Sequence, residues 1–162
     1  MRSMISIVML ALMTIAVMPA GGAAEEQVFQ LSIFNPLQIR PENDAIKYFR
    51  FNLIYGKNTT MTGVDLGLVN HLTAGESVAL QWGFGNWVEA DMKGLQWGTI
   101  NATRGTFTGW QWGFVNYSGH TRGFMLGIVN YSESMYGLQI GLINIIKEGG
   151  MLPFFPFFNF SF

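Results

Sequence analysis

Gly94-Leu-Gln-Trp-Gly-Thr-Ile-Asn101 and Gly109-Trp-Gln-Trp-Gly-Phe-Val-Asn116 are two copies of one octet, and the reading of that octet decides the fold. Four more copies align with them: Gly63–Asn70, Ala79–Asn86, Gly123–Asn130 and Gly137–Asn144. From one closing Asn to the next the steps are 16, 15, 15, 14 and 14 residues. A degenerate seventh copy is read as ending at Asn159, 15 residues beyond Asn144. Tandem repeats of this length set the architecture before any local feature does.

Within the octet, bulky apolar residues alternate with Gly and Gln. Period-two alternation is a strand signal, because a helix would space its bulky residues three and four apart. One face is therefore large and apolar. The other is small and polar and carries a column of Asp65, Gln81, Gln96, Gln111 and Gln139, with Met125 in the same position of the remaining copy. Asp65 is the one charge inside an octet. The segments between octets hold Glu76, Glu89, Asp91, Lys93, Arg104, Arg122 and Glu133 among Gly, Ser and Thr, which read as turn and solvent residues.

Two all-β architectures satisfy this pattern. The expected one is an antiparallel up-and-down meander closing into a small transmembrane β-barrel of about 8–10 strands, bulky face to lipid and Gly/Gln face to a narrow lumen. The alternative is a β-solenoid with coils of 14–16 residues, in which bulky columns stack inward and Gln or Asn form ladders. Three features sit awkwardly with the barrel. Nine strand candidates can be counted where an even number is expected, the turns are all short, and Pro153 and Pro156 fall in the last candidate strand.

Residues 1–24 read as a secretory signal: Arg2, an apolar run from Ile5 to Met18 too short to span a bilayer, then Pro19 and the small residues Gly22-Ala23-Ala24. Residues 25–162 read as one β-repeat domain, with N-terminal strands over 25–60, tandem repeats over 61–146 and a Phe-rich terminal strand over 147–162. Candidate strands precede the repeats at Gln27–Leu37 and Ala45–Gly56, the second placing Arg50 and Asn52 on a polar face. The formal net charge of −1 gives no basic footprint for nucleic acid. Charged residues make up 12% and aromatics 15% of the chain, about half the charge of an ordinary soluble domain. Cysteine is absent, which excludes disulfides, thiolate metal sites and a lipid-modified N-terminal Cys.

The chain ends Phe154-Phe-Pro-Phe-Phe-Asn-Phe-Ser-Phe162. Phe158, Phe160 and Phe162 alternate and read as a C-terminal insertion signal of an outer-membrane barrel, although their parity is opposite to that of the octets' bulky face. Phe51-Asn-Leu-Ile-Tyr-Gly56, the tandem Gly-Leu-Gln-x-Gly-Leu-x-Asn octets and Leu152-Pro-Phe-Phe-Pro-Phe-Phe-Asn159 together resemble the bacterial surface-repeat proteins first catalogued among spirochaete outer-surface proteins. The resemblance covers nearly all of residues 25–162. It implies an exported protein of the outer membrane or cell surface of a Gram-negative-type bacterium. It supplies no catalytic residues. Outer-membrane lipid and the barrel-insertion machinery are the partners this reading implies.

No constellation for chemistry emerges, and no enzyme activity, cofactor or metal is expected. His71 and His120 lie in inter-repeat turns without a partner at ligand spacing. No Ser sits in a Gly-x-Ser-x-Gly elbow, and the glycines do not open a helix. Asn70, Asn86, Asn101, Asn116, Asn130 and Asn144 close the octets and read as strand-end residues, since Asn tolerates left-handed backbone. Asn58, Asn101, Asn116 and Asn130 also form glycosylation sequons, read as a by-product of the repeat. The Gln column reads as structural filling of a narrow lumen. Trp87, Tyr117 and Tyr131 follow the Asn and read as interfacial aromatics. The functional expectation is a structural or surface-interaction role, with a secreted solenoid binding module as the alternative.

Overall fold

The computed structural model describes residues 25–162, so the signal-sequence reading of residues 1–24 lies outside the described residues. The described chain is all β, in the order β1 (Glu26–Phe34), β2 (Leu37–Gln38), β3 (Ala45–Asn58), β4 (Met61–Leu72), β5 (Glu76–Val88), β6 (Asp91–Trp112), β7 (Val115–Leu126), β8 (Val129–Glu148) and β9 (Phe154–Ser161). Every pairing from β1–β3 through β7–β8 is parallel. Only the two ends, β1–β2 and β8–β9, pair antiparallel. This is a β-solenoid, and the expected antiparallel transmembrane barrel is corrected.

The register gives the physical reason. Gln81 stands on Gln96, Trp82 on Trp97, Asn86 on Asn101, Asn116 on Asn130 and Tyr117 on Tyr131. Parallel, in-register pairing puts like on like through most of the stack. A buried amide carries both a donor and an acceptor, so its own copy one coil away satisfies it. Antiparallel neighbours would break that match.

Each coil has two arms. One carries Gly-φ-Gln-φ-Gly, and the other begins at the Asn. They close on each other, as Thr103 Oγ1 shows by donating to Gln96 Oε1 at 3.1 Å. The octet keeps its length in every coil, so the fall from 16 to 14 residues per repeat is taken up in the corner beyond the Asn arm. The register slips there, between Thr103 and Thr106. The longer coils fill this end with Ile46, Met61, Leu72, Val88, Met92 and Phe107. In the shorter ones Thr121 and Ser132 meet, their hydroxyls 2.9 Å apart, beside a second apolar cluster of Met125, Met135 and Ile146.

Glycine is required where coils touch. Gly109 has φ 137°, and a Cβ there would run into the Gly94 carbonyl oxygen of the coil beneath. Tyr48 stands on Gly63 at the first level of the same column and has φ 79° despite its side chain. At the other end, β9 reverses and caps the stack. Asn159 therefore pairs with Gln139 and not with Asn144, which corrects the reading of a degenerate seventh copy of the octet. The reversal also settles the parity of the terminal phenylalanines: Phe158 and Phe160 lie opposite Ile140 and Leu138. They extend the outer apolar columns and close no barrel.

Candidate functional site: polar interior and apolar outer face

Inside the solenoid run two amide ladders of opposite polarity. The Gln ladder starts from Asp65, a pure acceptor when ionised. Gln81 donates to its Oδ2 at 2.8 Å, Gln96 donates to Gln81 at 2.8 Å, and Gln111 donates to Gln96 at 2.7 Å. Every donor thus points towards the N-terminal coils. Asp65 also accepts two hydrogen bonds from Arg50, both 2.7 Å. Met125 interrupts the ladder. It offers no amide proton, so Gln111 Oε1 is left buried without a partner, while Gln139 Nε2 donates to the Met125 sulfur at 3.4 Å and to the Ile145 carbonyl at 3.2 Å. Gln139 belongs to the column but not to the continuous ladder.

The Asn ladder is unbroken from Asn52 through Asn70, Asn86, Asn101, Asn116 and Asn130 to Asn144, with amide contacts of 2.8–2.9 Å. Each donor points towards the C-terminal coils. The second amide proton fixes that direction: Asn86 Nδ2 also donates to the Trp97 carbonyl, and Asn101 Nδ2 to that of Trp112. Asn52 joins the ladder in place of the residue aligned with Asn70, which is Gly56. A Cβ on Gly56 would collide with the Asn52 amide. None of these Asn has positive φ, so the strand-end reading is corrected: the amides are buried structural rungs. The four sequon asparagines are all fully buried too.

The Gln column is therefore not a lumen lining. The two arms pack onto it directly, and the solenoid alternative holds with its Gln and Asn ladders; only its inward-stacked bulky columns are corrected. The large apolar columns stack outward, and polar amides occupy much of the inside. Leu66, Trp82, Trp97, Trp112, Leu126 and Ile140 form one outer column, extended by Phe51 and Phe158. Val64, Leu80, Leu95, Trp110, Phe124 and Leu138 form the next. Beside them, at the corner, stand Leu68, Phe84, Phe114, Ile128 and Leu142, between 45% and 62% exposed. Rows about 4.8 Å apart and alternate residues about 7 Å apart give a strip of roughly 40 by 20 Å, about 800 Å². The largest apolar patch of an ordinary monomer is about 300–600 Å².

Aromatic rings stack along this strip. Trp97 and Trp112 lie 5.2 Å apart at 5°. Tyr117 and Tyr131, around the corner on the Asn arm, lie 5.4 Å apart at 8°. Parallel coils thus put Trp87, Tyr117 and Tyr131 on one side of the molecule, where the barrel reading had them at alternating ends. Ring faces that cover one another are closed to a flat ligand such as a sugar.

One polar cluster escaped the sequence reading. His71 accepts or donates at Nδ1 with the Tyr55 hydroxyl at 2.7 Å, and its Nε2 faces Glu89 at 3.3 Å. Glu89 also accepts from Trp87 Nε1 at 2.9 Å and from Arg104 at 2.8 Å. Burial, the largest influence, pushes the His71 pKa down against the pull of Glu89. Repeat arithmetic did not point to it: the register slips within β3, so His71 stands on Lys57, and Tyr55 reaches it from two residues earlier on the same strand. His120 instead meets Ser134 at 2.6 Å on the surface. Among the described residues, no three His, Asp or Glu side chains converge as metal ligands.

No protein-family model, curated protein or solved structure matches the chain.

Proposed function

We propose that this chain is an exported, non-catalytic β-solenoid module that works by docking through its outer apolar face. The observation that carries this is the inversion of the usual pattern. Gln and Asn fill much of the interior while Trp, Leu, Ile and Phe stand outside in columns of five to eight. Exposing that much apolar surface costs solubility, and the outward side chains contribute little to the core. A working surface explains their retention in every repeat. Export is part of the proposal and rests on the Ile5–Met18 run followed by small residues, together with the likeness to surface-repeat proteins.

Detergent phase partitioning tests it. The wild-type chain is expected to enter the detergent phase, or to self-associate when detergent is removed. The double variant Trp112→Glu/Leu126→Glu, which alters only outward positions, is expected to do neither while keeping its β-type circular dichroism. A wild-type chain that stays monomeric in the aqueous phase would sink the reading.

A further inference from the structure

Resting on that reading, we infer that the occupant of the apolar strip is a lipid bilayer, on whose surface the solenoid lies with its apolar corner inward, without crossing. Three observations select lipid. The first is the distribution of charge around the coil. The three outer columns that make the strip carry no ionised side chain between Leu66 and Leu142. The next column on the Gln arm brings in Lys47, Lys93 and Arg122, with Thr62 and Thr108 between them. Glu76 and Asp91 lie one outward position further still. Around the corner on the other side, the border column is Lys57, His71, Trp87, Tyr117 and Tyr131, with Ala102 between. An apolar centre with aromatic and cationic borders, the acids beyond them, matches the depth profile of a bilayer leaflet.

The second observation is the state of the cations. Lys47 is paired with Glu26 at 3.0 Å and Lys93 with Glu76 at 2.8 Å. Their charges are locally balanced, so attachment is driven by apolar insertion and not by anionic headgroups. Binding to neutral vesicles that resists salt follows.

The third is the texture of the strip. Within a column, neighbouring rings already touch, at 5.2 Å for Trp97–Trp112 and 5.4 Å for Trp110–Phe124. Between the tryptophan column and the corner residues a shallow groove runs over Gly67, Gly83, Gly98 and Gly113. A rigid partner would have to match this relief, whereas fluid acyl chains conform to it.

The test is flotation of the full chain with vesicles of neutral phosphatidylcholine, in low salt and in 0.5 M NaCl, with quenching of tryptophan fluorescence by lipids brominated on their acyl chains. All five tryptophans lie between Trp82 and Trp112, so quenching reports the solenoid and not residues 1–24. The expected result is flotation that persists in salt, at least about two-fold quenching, and at least a ten-fold loss of partitioning for Trp112→Glu/Leu126→Glu. His120→Glu, in the corner at the far end of the two arms, should float as the wild type does. Flotation without quenching, unchanged by the double variant, would place the membrane contact elsewhere and overturn the inference. So would a wild-type chain that forms dimers by light scattering and does not float; the docking reading would then stand with a second copy as occupant. A wild-type chain that neither floats, partitions into detergent nor associates removes both.

Discussion

Arg50 and Asp65 face each other in consecutive coils, bridged by two 2.7 Å hydrogen bonds, with both side chains fully buried. They occupy two successive levels of the glutamine column, so the ion pair substitutes for one amide rung. Arg50 also donates to the His71 carbonyl at 3.1 Å, and Asn52 and Gln81 both donate to Asp65. Removing one partner leaves a buried charge uncompensated. Asp65→Asn should therefore cost about 3–5 kcal/mol. Replacing both, Arg50→Gln/Asp65→Gln, continues the ladder with neutral amides and should recover most of that loss. Urea unfolding of the two variants checks the contrast. Equal destabilisation by both would show that the charges, and not the pairing, matter.

Met125 is the fault in the ladder. It leaves Gln111 Oε1 buried and unpaired and gives Gln139 a sulfur where the ladder has an amide oxygen. Met125→Gln supplies both missing partners in the rotamer that its neighbours already adopt. A net hydrogen bond is worth about 1 kcal/mol and an unpaired buried carbonyl costs about 1–3 kcal/mol. The substitution should stabilise the protein by about 1–2 kcal/mol, visible as a higher urea midpoint at unchanged slope. A loss of stability would mean that the methionine's packing against Met135 and Ile146 outweighs the amide.

The alternation of the octet was legible, and with it which residues turn outward. The direction of pairing was not. Period two puts Gln81 and Trp82 on opposite faces whether the neighbouring strand runs parallel or antiparallel. What distinguishes the two is a demand that only packing reveals: Gln81, Gln96 and Gln111 are fully buried, and buried amides in a column pair best with their own copies. A quantitative clue was present. Arg50 precedes Asp65 by 15 residues, the length of a repeat, which places a cation and an anion at the same point of successive coils. The end of the chain was misread because Asn159 imitates the closing Asn of an octet, and nothing local in Phe157-Phe-Asn-Phe160 reveals that the strand has reversed.

Two glycines of similar sequence context should respond in opposite ways. At Gly109, φ is 137° and an added Cβ strikes the Gly94 carbonyl. Gly109→Ala should cost about 3 kcal/mol or more through strain and separation of the coils. At Gly85 an added Cβ would touch only the Val69 methyls, at 3.8 and 3.9 Å, and φ is ordinary. Gly85→Ala should be neutral or stabilising by about 0.4–1 kcal/mol, because it narrows the unfolded ensemble. Thermal melts of the pair distinguish steric demand at coil contacts from a general need for glycine.

Acid should weaken the fold in two steps, and His71 sets the first. Burial, ahead of the opposing Glu89 hydrogen bond, holds its folded pKa below the ordinary 6.5. The neutral ring fits its surroundings, with Nε2–H donating to Glu89 and Nδ1 accepting from Tyr55. As pH falls past 6.5 the unfolded chain takes up the proton first, so stability declines until the folded ring titrates too. Glu89 sets the second step. The Trp87 indole hydrogen bond, with help from Arg104 and His71, pulls its carboxyl below the ordinary 4.5. Its contribution is complete above 4.5 and is lost as pH falls through the lower folded value. His71→Gln should flatten the first step and leave the second in place, while Trp87→Phe should shrink the second. Urea midpoints measured from pH 8 to pH 3 resolve both. A wild-type curve that rises as pH falls through 6.5 would show that the Glu89 carboxylate, and not burial, governs the ring.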